Sequence, residues 1–387
     1  MGGIMERLKR RLRDESGMSY VFIGLGFMAF LSASVLAIDV GMLMTARNQA
    51  QNSADAGALA GAVALAFDDF DDRSPDGPAV TSAIGAAKSN DVMKGDVSVL
   101  PADVVFLNDE LGVSNRVQVT VYRNAERENP LQLLMARYLK IRDTAGVAAT
   151  ATAEASPANA QDCVLPFTIP DRWKEVHTPA FDPADDFKAF DQHGNPLATP
   201  DVYIGPKDKD NYTGYDAWRD KGTQIIIKAD NGSKMEPSMY QVWDMEGGDR
   251  GSDDVREAVA GCKKQILGYD QTFVHKPGLQ AGPVEQGIEE LIAKDPDAYW
   301  DGEKVVSKYG KSPRVRALPL FDPYYYDEGK HNGRNASLKF VNYLGIFVEG
   351  MDGKKVIGRI VQIGGLKDGS LPDGPPAAFP KAIVLVK

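Results

Sequence analysis

The chain has 387 residues, of which 43% are hydrophobic, 25% charged and 9% aromatic. These are the proportions of a folded globular protein, not of a disordered or collagen-like one, and the length suits two domains plus an additional segment. Acidic residues outnumber basic ones 54 to 44, a formal net charge of −10, which speaks against general nucleic-acid binding; the two cysteines, Cys163 and Cys262, are too few for a cysteine-only zinc site or an iron–sulfur cluster.

Residues 1–17 carry five basic side chains (Arg7, Lys9, Arg10, Arg11 and Arg13) and three acids. From Met18 to Ile38 the sequence MSYVFIGLGFMAFLSASVLAI contains no charge over 21 residues. As a helix this run spans about 32 Å, enough to cross the hydrocarbon core of a bilayer. The positive-inside rule keeps the basic cluster cytoplasmic and puts the body across the inner membrane, in the periplasm of a Gram-negative cell. A buried soluble helix fits poorly, because the run is long and basic residues flank only one end. A cleaved secretory signal ending at Val35-Leu36-Ala37 competes. The retained anchor is preferred, because the following IDVGMLMTARNQAQNSADAGALAGAVALAF has no proline and continues as helix. In that continuation Ala46, Ala50, Ala54, Ala58 and Ala62 recur every fourth residue, joined by Gly57 and Gly61. They form a smooth stripe suited to close helix–helix or helix–sheet approach. A single helix over residues 18–67 is about 75 Å long, half in lipid and half standing above it.

These residues carry a resemblance. Glu15 and Gly17, the apolar span, the exit Ala37-Ile38-Asp39-Val40-Gly41, Arg47, Gln51 and the run from Asn52-Ser53-Ala54-Asp55-Ala56 to Ala60-Gly61-Ala62 resemble the N-terminal segment of TadE/TadG-like proteins. That family belongs to the tight-adherence (Flp-type pilus) secretion machinery. The resemblance implies an inner-membrane anchor, a periplasmic body and a role in pilus assembly. Two departures are visible. A prepilin-type cut after Gly17 would place Phe22, not Glu, at the fifth mature position. The D-x-S-x-S motif of the von Willebrand A domain common in full-length TadG proteins is absent. The nearest description is a TadG-related protein without that domain.

The acidic turn DDFDDRSPDGP ends the helix and reads as a solvated loop, because no EF-hand spacing follows it. A short helix over 78–90, strands over Ala102–Leu107 and Arg116–Tyr122, an amphipathic helix over Pro130–Leu139 with Leu131, Leu134, Met135 and Tyr138 on one face, and a strand over Val147–Ala155 suggest a small sheet packed on helices. Ser156-Pro157-Ala158-Asn159-Ala160 reads as a linker. Beyond it, strands are expected near 223–228, 314–320, 336–349, 355–363 and 382–387, and helices at 253–260 and 283–294. The phrases CVLPFTIPDRW, GPVEQGIEELIAKDPDAYWD, SPRVRALPLFDP and VNYLGIFVEGM also resemble stretches found downstream in TadG-related proteins.

In an oxidising compartment Cys163 and Cys262 are expected to form a disulfide. His177, His193, His275 and His331 show no metal-ligand spacing, and the serine-hydrolase, P-loop and dinucleotide fingerprints are absent. The segments 191–195 and 208–211 read as turns, with calcium binding the alternative, and the sequons at Asn211, Asn231 and Asn335 read as chance matches. Tyr324, Tyr325 and Tyr326, read as a Pro/Asp/Gly loop, are the best interface candidate, since three consecutive aromatics there cannot all face one core.

The expected fold is α+β: a basic segment (1–17), a transmembrane helix (18–38), a stalk helix (39–67), a small pilin-like module (68–160) and a mainly antiparallel β domain (161–387). The expected role is binding, with no catalytic, cofactor or metal residue. Partners are the inner membrane and other pilus-assembly or secretion proteins, with no nucleic acid and no small-molecule substrate. A minor pilin carried in the fibre and a membrane-tethered periplasmic hydrolase are the alternatives.

Overall fold

A computed structural model of the protein describes residues 16–110, 112–229, 235–245, 251–262, 265–275, 280–331 and 337–386. The basic N-terminal cluster and the sequons at Asn231 and Asn335 lie outside the described residues. The chain divides into two compact units, Met1–Glu154 with Leu385–Lys387, and Ala155–Val384.

The first unit is organised by one helix. Ala, Leu and Met are strong helix formers, no proline interrupts them, and α1 runs unbroken over Ser16–Phe67, 52 residues. It ends where Asp69 accepts the backbone N–H groups of Asp71 and Asp72, at 2.9 and 3.0 Å, and Asp72 accepts that of Ser74 at 2.9 Å. The acidic run is thus the local scaffold of a turn. Helix α2 (Pro78–Lys88) follows, with proline in its first turn as helix starts favour. Strands β1 (Val104–Leu107) and β2 (Arg116–Arg123) are antiparallel. Next come β3 (Leu131–Gln132), the one-turn helix α3 (Met135–Tyr138), β4 (Thr144–Ala145) and β5 (Val147–Pro157). With the C-terminal strand β17 (Lys381–Val386), the sheet order is β1-β2-β5-β17. Alternation along β2 buries Val117, Val119 and Val121 completely.

One expectation fails here. Residues 130–139 are not an amphipathic helix: β3 pairs with β4, and only residues 135–138 are helical. Leu131, Leu133 and Ala136 are buried, whereas Leu134 and Tyr138, assigned to the apolar face, are exposed.

The second unit contains β6 (Ala160–Gln161), β7 (Phe167–Pro170), β8 (Gln224–Ala229), β9 (Met239–Val242), β10 (Leu267–Gly268), β11 (Thr272–Phe273), β12 (Tyr299–Trp300), β13 (Val305–Val306), β14 (Val315–Phe321), β15 (Leu338–Asp352) and β16 (Lys355–Ile360). Its helices are α4 (Ser252–Ala260), α5 (Ala281–Ala293) and α6 (Pro323–His331). Strands β15-β14-β7-β9-β8-β16 are hydrogen-bonded in that order, and β16 pairs back with β15, closing a six-stranded ring with β11 added to β15. Four of the ring's pairings are antiparallel; β7–β14 and β8–β9 are parallel. Closure removes exposed sheet edges. The core gathers Phe167, Ile169, Ile227, Leu320, Phe340 and Leu344 with Val259, Ile288 and Leu291 from α4 and α5. The α+β class stands, in a barrel-like form.

Residues 156–160 are not a free linker. Ser156, Ala158, Asn159 and Ala160 are buried, Ala158 N–H donates to Pro380 and Asn159 N–H to Leu366. The Tyr324–Tyr326 segment is not a loop either. It lies in α6, whose start is held by the Asp322 carboxylate accepting the Tyr325 N–H at 2.9 Å, with Pro323 in the first turn.

Candidate functional site: one helix in two environments

Along α1 the side chains change character near residue 39. Phe22, Ile23, Leu25, Phe27, Met28 and Phe30 are all large, apolar and exposed, each leaving about 60% or more of its surface free. Within the body of a water-soluble fold such a row would be unfavourable, and as a span it matches hydrocarbon. Gly24 and Gly26 have nothing within 4 Å of a β-carbon position.

From residue 46 the opposite holds. Ala46, Ala50, Ala54, Ala58 and Ala62 are each at most 1% exposed, and Gly57 and Gly61 are buried. A β-carbon at Gly57 would sit 3.0 Å from Ala87 and 3.2 Å from Val119; at Gly61 it would sit 2.8 Å from Val117 and 3.1 Å from Ala83. The predicted stripe is therefore the seat for α2 and β2 of its own module and is not presented to another protein. Polar groups fix the register. The Ser53 hydroxyl donates to the Ala87 carbonyl at 2.8 Å, and the Gln49 amide oxygen accepts the Met93 N–H at 2.8 Å.

Asp39 marks the seam. It is the first charged residue after the uncharged run, and it is 5% exposed. Its carboxylate accepts the N–H groups of Leu134, Met135 and Ala136 at 3.0, 3.1 and 2.7 Å, the free donors at the start of α3. The sequence singles out Asp39 within the helix exit but gives no sign of partners 95 to 97 residues away.

In the second unit Cys163 and Cys262 form a disulfide, with Cα atoms 4.7 Å apart. The bonded pair lines a cavity of about 360 Å³ with Lys294, Lys311 and the buried Arg316. The four phrases read in the sequence meet through the fold. Within β7, from the first phrase, Ile169 and Pro170 pair with Leu320 and Phe321 of the third. Arg314, 3% exposed, donates to the carbonyls of Asp295 and Ala298 in the second and of Val348 and Glu349 in the fourth. Such a buried guanidinium, hydrogen-bonded through all three of its nitrogens, is a packing device.

Two ionisable groupings went unread in the sequence. Asp171 accepts the hydroxyls of Tyr203 and Tyr212 at 3.0 and 2.8 Å and the N–H groups of Arg172 and Tyr215 at 2.9 and 3.3 Å. Burial pushes its carboxyl up to about 6, against the pull of these four donors. Nearby in sequence, His177 pairs with Asp185 at 2.6 Å, and the Glu175 carboxylate accepts the Trp173 indole N–H at 2.6 Å. Burial and then the neighbouring Asp201 raise Glu175 above the usual carboxylate range. Glu175, His177 and Asp185 bring their ligand atoms within 4.8 Å of one another and are the described residues that could hold a metal ion. His193 sits in its predicted turn, where Asp191 accepts the N–H groups of His193 and Asn195.

The three tyrosines diverge. Tyr326 is buried against Phe321, with ring centroids 5.2 Å apart, whereas Tyr324 remains 43% exposed with its ring 5.0 Å from Phe190. The Lys339 ammonium lies over Tyr325, 5.8 Å from its centroid.

Among the described residues one helix is long and apolar enough to cross a membrane, and it continues as the core helix of a small α/β module, an arrangement consistent with single-pass membrane anchoring. Residues 17–64, nearly the whole of α1, match the Tad family of TadE/G-like Flp pilus-assembly proteins. The chain thus carries a TadE/G-like pilus-assembly segment, and the rest of its length lies outside that match. No curated protein and no solved structure matches it.

Proposed function

We propose that this protein is held in the inner membrane by residues 18–38, with its body in the periplasm, and supports assembly or anchoring of an Flp-type pilus through protein–protein contacts. The observation that carries this reading is the change of environment along α1. Its exposed apolar half joins a buried Ala/Gly half without a break, inside the segment matched by the TadE/G-like family. The body acts by binding, not by catalysis. Supporting this, the disulfide and the small-residue stripe read from the sequence, and the buried Arg314, serve internal packing. Cells expressing a C-terminally tagged copy would be sheared, and the N-terminus in each fraction determined by mass. An anchored assembly factor stays with the inner membrane and retains residues 1–17. A tagged chain in the sheared fraction beginning at Met18 would make it a minor pilin.

A further inference from the structure

The membrane-exit end of the first unit presents a surface that no described residue covers. The buried residues Leu131, Leu133 and Ala136 fix the stretch around α3 to the module, while Leu134, Tyr138 and Ile141 are 61%, 81% and 70% exposed. Arg137, Lys140 and Arg142 are exposed among them, with Asp143 the one acid alongside. This is not a loose loop: Leu139 N–H donates to Met135 at 3.0 Å and Ile141 N–H to Ala136 at 2.9 Å. Its height is set by Asp39, whose carboxylate holds the backbone of residues 134–136 within about 3 Å of the position where α1 first becomes charged.

We infer that residues 134–142 are a second membrane contact, a foot resting in the anionic lipid headgroup layer beside the point where α1 leaves the bilayer. This rests on the reading of residues 18–38 as a span. Three features select lipid as the occupant. The surface is continuous with the apolar span through Asp39. Its composition, an amphipathic tyrosine with Leu and Ile, is that of side chains favoured at the membrane–water boundary. Its three basic groups complement lipid phosphates, and their aliphatic stems can lie along the apolar layer while the charges stay at headgroup level. The foot would fix the tilt and rotation of the module about α1, which a lone span leaves free.

The test uses the full chain in vesicles of zwitterionic lipid with about one-third phosphatidylglycerol. Both native cysteines are in the disulfide, so single thiols can be labelled with a bimane fluorophore through Tyr138→Cys, Ile141→Cys, Met28→Cys and Val63→Cys. Val63 is exposed and stands 24 residues beyond Asp39, about 36 Å along the helix. Lipids spin-labelled at the headgroup or deep in the acyl chain serve as quenchers. The expected result is deep quenching at 28, headgroup-level quenching at 138 and 141, and none at 63. Quenching at 28 with 138 and 141 as dark to the quenchers as 63 would overturn the foot and leave the span intact, freeing this surface for a protein neighbour. No quenching at 28 would overturn the span and the foot with it. Reversing the charges (Arg137→Glu, Lys140→Glu, Arg142→Glu) should lower headgroup-level quenching at 138 about fivefold or more. An unchanged signal would overturn the assignment of these residues to lipid phosphate.

Discussion

The two halves of α1 belong to one unbroken helix, yet they solve opposite problems. Over residues 18–30 the large side chains point outward and the small ones, Gly24 and Gly26, meet nothing. Over residues 46–66 the small ones face inward and are the contact. The outer half is uncharged, whereas the upper half carries Arg47, Asp55 and a run of Asn and Gln. Side-chain volume separates their apolar faces as well: bulk suits a helix whose neighbour is fluid lipid, and smoothness suits one whose neighbours are a fixed helix and a fixed sheet.

Charging the outer half should have the largest effect. Phe27→Arg with Phe30→Arg adds about 2.5–3.5 kcal/mol per residue to the cost of spanning, so the chain should shift from the carbonate-resistant membrane fraction to the soluble one. Full retention in the membrane fraction would break the comparison at its first half. Next comes a matched pair of glycine substitutions. Gly61→Leu forces atoms into the space held by Val117 and Ala83 and should destabilise the module by about 2–3 kcal/mol, read as a lower urea midpoint or faster amide exchange in α2 and β2. Gly24→Leu should leave both readings unchanged; equal effects would mean that the halves do not differ as described. At the seam, Asp39→Ala strands the three N–H donors at the start of α3 and should cost about 2 kcal/mol, seen as loss of exchange protection at residues 134–136 with the span still in place. Smallest is Ser53→Ala, which removes one buried hydrogen bond but gains helix propensity, a net loss of about 0.5–1 kcal/mol and a thermal midpoint lower by a few degrees at most.

The long helix, its apolar half and its alanine stripe were legible because each is a local pattern repeated over many turns. The stretch at 130–139 misled for the same reason. Leu131, Leu134, Met135 and Tyr138 have helical spacing, but β3 pairs with β4 across a short hairpin-like return, and the carboxylate of Asp39, distant in sequence, takes the donors of residues 134–136. In Asp322-Pro323 the signal was present and misassigned: an acid at the cap and a proline in the first turn announce a helix as readily as a loop. Residues 156–160 have the composition of a linker, yet strands and turns more than 200 residues later bury them. Ring closure was out of reach, since the parallel pair β7–β14 joins residues about 150 positions apart. The clustering of Asp171 with Tyr203, Tyr212 and Tyr215 carried no local motif at all.

The unbroken course of α1 also makes it a mechanical element. Its 52 residues share one hydrogen-bonded backbone without a proline joint, and its upper half is clamped by the module over some five turns. A rotation of the span about its own axis is therefore a rotation of the module through the same angle. A pull on the module reaches the lipid as axial tension, with no hinge in which the motion could be lost.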